Sequence, residues 1–288
     1  CILKRCKMLS NEALAVTCGL GSAVTWGAGD FSGGFASRKG NVLGVILISQ
    51  FVGGVILASI ALLISETIPP FESIFYGGLA GIFGILGLIA LYKGLALGRM
   101  GIVAPLSAVL TALMPIGYTA IHEGIPSITQ SLGFVCFMVA VWLLSSAKAE
   151  FRMTRNEFFL SFAAGLGFGF FFIFIDKAND LAIFWPLVGA RLASVSLLLC
   201  FILIMGKPAK PLSGQWILIL ITGVLDAAGN SLFSMAAHLG RLDIAAVLGS
   251  LYPAATVILA WFFLKERLGL RQWAGISVAF LALTLISV

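Results

Sequence analysis

Charge is what this sequence has least of. Lys and Arg number 18 and Asp and Glu 12 in 288 residues, 10% in all, while 60% are hydrophobic and the mean hydropathy is +1.09. A soluble domain carries about 25% charged and about 45–50% apolar residues. Too few polar groups are present to coat a globule in water, so lipid must be the solvent for most of the surface. The net charge of +6 and the pI near 9.2 do not point to nucleic acid, because Lys and Arg fall in the short gaps between apolar runs.

Other absences narrow the chemistry. The five cysteines form no C-x-x-C pair and no His-Cys cluster: Cys18, Cys136 and Cys200 lie in apolar runs, Cys1 and Cys6 in a basic tail. A disulfide framework and a zinc site are therefore unsupported. Only His122 and His238 occur, and His122-Glu123 lacks the second histidine that a zinc protease helix requires. No two aspartates are adjacent, which argues against a magnesium-pyrophosphate enzyme. No G-x-x-x-x-G-K-[ST] loop is present, so this chain alone hydrolyses no nucleotide. No cofactor, metal or nucleic-acid partner is expected.

What the chain has is length without polarity. A helix needs about 20 apolar residues to cross a bilayer core. Such runs lie near 13–37, 42–65, 71–91, 102–121 and 128–146, and again near 158–175, 184–205, 216–238, 244–264 and 273–288. The fold class expected is all-α integral membrane, ten transmembrane helices in two halves. The halves are 13–146 and 158–288, joined by a charged linker at 147–157 and preceded by a short basic tail at 1–12. Met8 is read as a candidate start, and the first run as a span rather than a cleavable leader.

The halves repeat. LGRMGIVA at 97–104 matches LGRLDIAA at 239–246 with five identities in eight at an offset of 142. The same offset pairs Gly27 with Gly169, Gln130 with Gln272, Gly133 with Gly275 and Ala140 with Ala282. Constant register across several spans is the signature of an internal repeat. A five-span unit ends on the side opposite its start, so the second copy must sit inverted, the recurring design of secondary transporters. Lys4, Arg5, Lys7, Lys177 and Arg241 share the N-terminal side, whereas the loops around 38, 93–99, 148–155, 207–210 and 265–271 carry the rest apart from Arg191. Loop charge therefore places both termini outside.

The stretch SLYPAATVILAWFFLKERLGLRQWAG at 250–275 resembles the end of an EamA-type domain of the drug/metabolite transporter superfamily. The shared features are a proline in the penultimate helix, a Glu-Arg-Leu turn and a glycine in the last helix. The first half is similar more loosely, with Pro115 late and His122-Glu123-Gly124 in place of that turn. Trp26-Gly27 resembles the family's opening helix. The resemblance implies ten helices, secondary transport and often export of metabolites. It also implies cytoplasmic termini, against the loop charges.

Ionisable side chains inside a membrane cost about 2.5–3.5 kcal/mol each on insertion scales, so each is a site candidate. Asp226 and Asn230 stand at i and i+4 with Ser234 one turn on, a polar stripe for a solute or a proton; hydrogen bonding between helices is the alternative. Asp30, in GAGDFSGG, is a candidate proton or cation site, or a structural ion-pair member. Arg191 offers a fork of donors to a substrate carboxylate, or pairs with Asp226, Asp176 or Asp180. Gln50 is a secondary cavity candidate, and Trp26 and Tyr252 are candidate aromatic walls. Pro105, Pro115 and Pro253 fall within helices and are candidate gating kinks. Gly78, Gly81, Gly84 and Gly87 recur every third residue, which suits close packing.

These residues predict a secondary active or facilitative transporter of a small metabolite, coupled to a proton or ion gradient when active, with a midplane site between the halves. A prokaryotic plasma membrane is the expected location. The alternatives are a channel or lipid-moving protein and, less favoured, an intramembrane enzyme. Substrate identity and oligomeric state are not legible in these residues.

Overall fold

The computed structural model describes residues 2–39, 41–96, 100–145, 154–179, 181–206, 213–264 and 269–286. Among them every regular element is helical. The order is α1 (Ile2–Lys39), α2 (Val42–Leu63), α3 (Phe71–Ala96), α4 (Met100–His122), α5 (Ile128–Ser145), α6 (Arg155–Ala178), α7 (Phe184–Met205), α8 (Trp216–Leu239), α9 (Leu242–Gly249), α10 (Tyr252–Leu264) and α11 (Leu270–Ile286). Five of these, α2, α3, α6, α7 and α8, are by themselves long and apolar enough to span a bilayer. The protein is an all-α integral membrane bundle.

Local sequence sets the ends. Asn41 caps α2 by accepting from the amides of Leu43 and Gly44, and Gly206 closes α7 in the left-handed region at φ 59°. Thr154 and Glu157 form a reciprocal capping box, the strongest short N-terminal signal a helix can carry. That box starts α6 at Arg155, so the last residues of the expected linker are helical; 146–153 lie outside the described residues. The residues of the expected tail from Ile2 onward are helical, since α1 begins at Ile2. No proline or glycine interrupts 2–18, so nothing stops the helix from continuing outward.

The ninth run, expected as one span at 244–264, is two helices. Pro253 has no N–H to give the carbonyl of Gly249 and its ring crowds the preceding turn. The chain closes α9 on Ser250, turns at Leu251, and restarts as α10. Pro105 and Pro115, by contrast, sit in the uninterrupted α4. Of the three expected kinks, only Pro253 coincides with a break in the helix.

The packing repeats as the sequence does. The principal pairings of α3 with α6, α4 with α6 and α3 with α7 recur as α8 with α1, α9 and α10 with α1, and α8 with α2; α5 and α11 pack on each other. Contacts obey the same offset. A Cβ on Gly87 would stand 3.0 Å from the Phe168 ring, and one on Gly229 would stand 2.5 Å from the Trp26 ring; 229 and 168 are 142 beyond 87 and 26. Gly81 meets the backbone of Ala190 as Gly223 meets the carbonyl of Ser49, one residue off register. Each half thus packs its third helix on the other half's first and second.

One loop contact fixes α7. Its N-cap, Ile183, supplies no side-chain cap, and Glu66 from the α2–α3 loop does so instead. The carboxylate accepts from the amides of Ile183 (2.9 Å), Phe184 (3.0 and 3.1 Å) and Trp185 (2.9 Å), while the Trp185 indole donates to the Glu66 carbonyl at 2.9 Å. Four helix-start amides have no partner of their own, and an anion at that end also meets the positive pole of the helix. Glu66→Ala is expected to cost about 1–2 kcal/mol, the range for a lost N-cap, with Glu66→Gln costing less. Thermal unfolding in detergent measures both.

Candidate functional site

The site builds from five polar side chains on three helices. On α8, Asp226 and Asn230 share a face, and the Asn230 amide reaches Asp226 Oδ1 at 3.5 Å. On α7, one turn separates Arg191 from Ser194. Gln50 on α2 lies between them. It donates to Asp226 Oδ2 at 2.9 Å, accepts from Arg191 Nη1, and takes a further bond from the Ser194 hydroxyl at 3.3 Å. Arg191 Nη2 stands 2.8 Å from Asp226 Oδ2. That contact is between charges, since Nη2 is not aligned for a hydrogen bond. The amide therefore knits an ion pair of the second half to a helix of the first.

Asp226 lies ten residues into α8 and Gln50 eight into α2, about 15 and about 12 Å along their axes at 1.5 Å per residue. Both are near the middle of a core about 30 Å thick. The group cost of burying such charges is offset here by pairing and by neutral donors on the remaining lone pairs.

These residues line a cavity of about 680 Å³, its mouth included, together with Trp26 and Asp30 of α1 and Tyr252 of α10. Seven of the eight expected binding residues (Asp30, Asp226, Asn230, Arg191, Gln50, Trp26 and Tyr252) therefore meet in one space. Ser234 does not. It is fully buried, its hydroxyl without a partner among the described residues, because the turn of α8 beyond Asn230 is closed by an aromatic stack. Phe233 lies 4.1 Å from Phe172 and 5.5 Å from Trp26. Tyr252 is anchored by its hydroxyl, at 2.7 Å from that of Ser107 and 3.1 Å from the Ala104 carbonyl.

Asp30 differs from the others. Among the described residues no hydrogen bond or ion pair engages its carboxylate, although Asp226, Tyr92 and Tyr252 are within electrostatic reach. The opposite wall is apolar: Phe168, Phe171 and Phe172 on α6, Gly84, Ile85 and Leu88 on α3. The sequence marks Gly84 only as a packing residue and does not single out the others, nor Ser194 and Thr111. A signal was available. An offset of 142 carries Trp26 to Phe168, Asp30 to Phe172, Gly84 to Asp226 and Leu88 to Asn230, and all eight line the cavity. The lining is polar mainly on α1, α2, α7 and α8 and apolar mainly on α3 and α6.

Other candidates are placed elsewhere. Lys177 is exposed and its ammonium stands over the rings of Tyr76 and Tyr118, 5.7 and 5.4 Å from their centres, which is an anchor at the membrane boundary. Among the described residues no cluster of His, Cys, Asp and Glu could hold a metal ion.

Comparison with known proteins points to a family of transporters. The model of the EamA-like transporter family matches residues 156–288. An uncharacterized protein of Methanocaldococcus jannaschii is 32% identical over 124 residues, 42% of this chain and 88% of that one. A protein of known crystal structure superimposes with a TM-score of 0.75 over 94% of this chain and 95% of its own, at 15% identity, a likeness of fold. The chain belongs to the EamA-like transporter family, within the drug/metabolite transporter superfamily, a family of transporters rather than enzymes.

Proposed function

We propose that this protein carries a small organic solute across a prokaryotic plasma membrane by exposing the midplane cavity to each side in turn, driven by a proton or cation gradient or by the solute's own. The observation that carries this reading is the convergence of Asp30, Gln50, Arg191, Asp226 and Asn230, from helices of both halves, on one cavity. Rocking one half against the other would change access while the site stays between them. Gln50 supplies the contact that such a motion must remake, since it joins α2 to both members of the pair on α7 and α8.

Reconstitution in proteoliposomes tests it. Flux should saturate and be stimulated by solute on the far side, which a channel does not show. Asp226→Asn and Asp30→Asn should each lower flux about tenfold or more, the effect of losing a contact of about 1.4 kcal/mol, while both proteins insert and remain monodisperse. Parent-like flux from both variants would remove the cavity from the mechanism.

A further inference from the structure

We propose that the solute is a monovalent amine with an apolar body, its ammonium held at Asp30 and its body against the aromatic wall of α6; this rests on the transport reading above. The first ground is charge. Three charged side chains line the cavity: Asp30, Arg191 and Asp226. Arg191 and Asp226 answer each other at 2.8 Å, and Gln50 and Ser194 complete the network. Asp30 is left without a hydrogen bond or ion pair among the described residues. A lone, partly buried carboxylate on the wall of a cavity within the bundle calls for a cation, and one carboxylate calls for one positive charge.

The second ground is what surrounds Asp30. Trp26 lies one turn before it on the same face of α1 and stacks on Phe172 at 5.5 Å and 17° between planes. Tyr252 stands on the neighbouring α10, and Phe168 and Phe171 continue the wall. Ring faces attract an organic cation and its apolar body alike. An inorganic divalent ion fits poorly, because it would need six or so oxygen ligands and no acidic cluster is present among the described residues. A carboxylate solute fits poorly as well. It would meet the charge of Asp30 and have to compete with Asp226 for the guanidinium of Arg191.

The third ground is the repeat. Asp30 and Phe172 are twins at the offset of 142, as are Asp226 and Gly84, and Asn230 and Leu88. The two halves present opposite chemistries at equivalent places, so the cavity has a polar and an apolar side. A solute that satisfies both must have a charged head and an apolar body.

Four probes separate charge from body: 2-phenylethylamine, 3-phenylpropionate, 2-phenylethanol and methylamine, titrated calorimetrically into the full chain in detergent near neutral pH. Phenylethylamine should bind, and each of the others should bind at least about tenfold more weakly. Asp30→Asn should weaken the amine by about 10- to 100-fold, the factor for a lost charged contact of about 1.5–3 kcal/mol, while Asp30→Glu retains most of the affinity. Size-exclusion profiles of both variants show that they are folded. Tighter binding of phenylpropionate, equal binding of methylamine, or an Asp30→Asn protein that binds the amine as the parent does would each overturn the assignment. So would a folded parent that binds none of the four. Saturable flux of an acid or a sugar without amine flux would overturn the amine class and leave the transport reading standing. Absence of saturable flux for every solute class would remove both.

Discussion

Substituting Arg191 with alanine is expected to destabilise the bundle by about 3 kcal/mol and to abolish transport. Removing one member of a buried ion pair typically costs about 3–5 kcal/mol, because the charge that remains has neither water nor partner. The low end applies here. Asp226 keeps 20% of its side chain exposed against 8% for Arg191, and Gln50 and Asn230 still donate to it. The informative control removes both charges. In Arg191→Met/Asp226→Leu no unpaired charge is buried, and stability should return to within about 1–2 kcal/mol of the parent, since apolar replacement of a buried pair is often neutral or better. Transport should stay lost. Thermal unfolding and proteoliposome flux on the two proteins measure this. A double variant as unstable as Arg191→Ala would mean that the pair holds the fold together by its attraction, and one that still transports would remove the pair from the mechanism.

How far the site was legible follows from the same residues. Each charge in a membrane span is conspicuous against an apolar background, so Asp30, Arg191 and Asp226 could be singled out by cost alone. Their grouping could not. Asp226 and Asn230 announce a shared face by their i, i+4 spacing, but nothing local says that Gln50, 176 residues away, completes the network. Ser234 shows the limit of periodicity. It lies on the expected stripe, yet Phe233 beside it stacks on Phe172 and closes that turn.

The fold was legible in a different degree. Span lengths lead to an all-α membrane bundle without a structure, and the odd number of spans per half adds the expectation of inverted repeats. The division of the ninth run into α9 and α10 turns on whether Pro253 kinks a helix or restarts one, and Pro115 inside an unbroken α4 shows that proline alone does not decide. The apolar wall was hidden for another reason. In an apolar span a phenylalanine facing lipid and one facing a cavity read alike, and only the offset of 142 from Trp26 and Asp30 distinguishes Phe168 and Phe172.

The glycine row of α3 carries the second large effect. Gly78, Gly81, Gly84 and Gly87 look equivalent in sequence, and the expected result is that they are not. A Cβ on Gly81 would overlap the carbonyl oxygen of Ala190 and stand 2.6 and 2.7 Å from its carbonyl carbon and Cα. Backbone atoms cannot swing aside, so α3 and α7 must part, and the residue after Ala190 is Arg191. Gly81→Ala should cost about 2–3 kcal/mol, the upper part of the range for overpacking, and should lower transport by moving Arg191 away from Asp226 and Gln50. Gly223→Ala, its pseudo-symmetric counterpart, meets the Ser49 carbonyl oxygen at 2.7 Å and Val52 at 3.0 Å. It should have a smaller effect of the same kind, transmitted to Gln50. Gly78→Ala is the control on the same helix. Its nearest neighbour would be Ala193 Cβ at 3.9 Å, an ordinary contact, and the gain in helix propensity is about 1 kcal/mol. That variant should be as stable as the parent or more so. Melting temperatures in the order Gly78→Ala, Gly223→Ala, Gly81→Ala, highest to lowest, with flux falling in the same order, would tie the helix crossing to the geometry of the cavity. A Gly81→Ala protein that melts with the parent would show that α3 and α7 do not cross this closely.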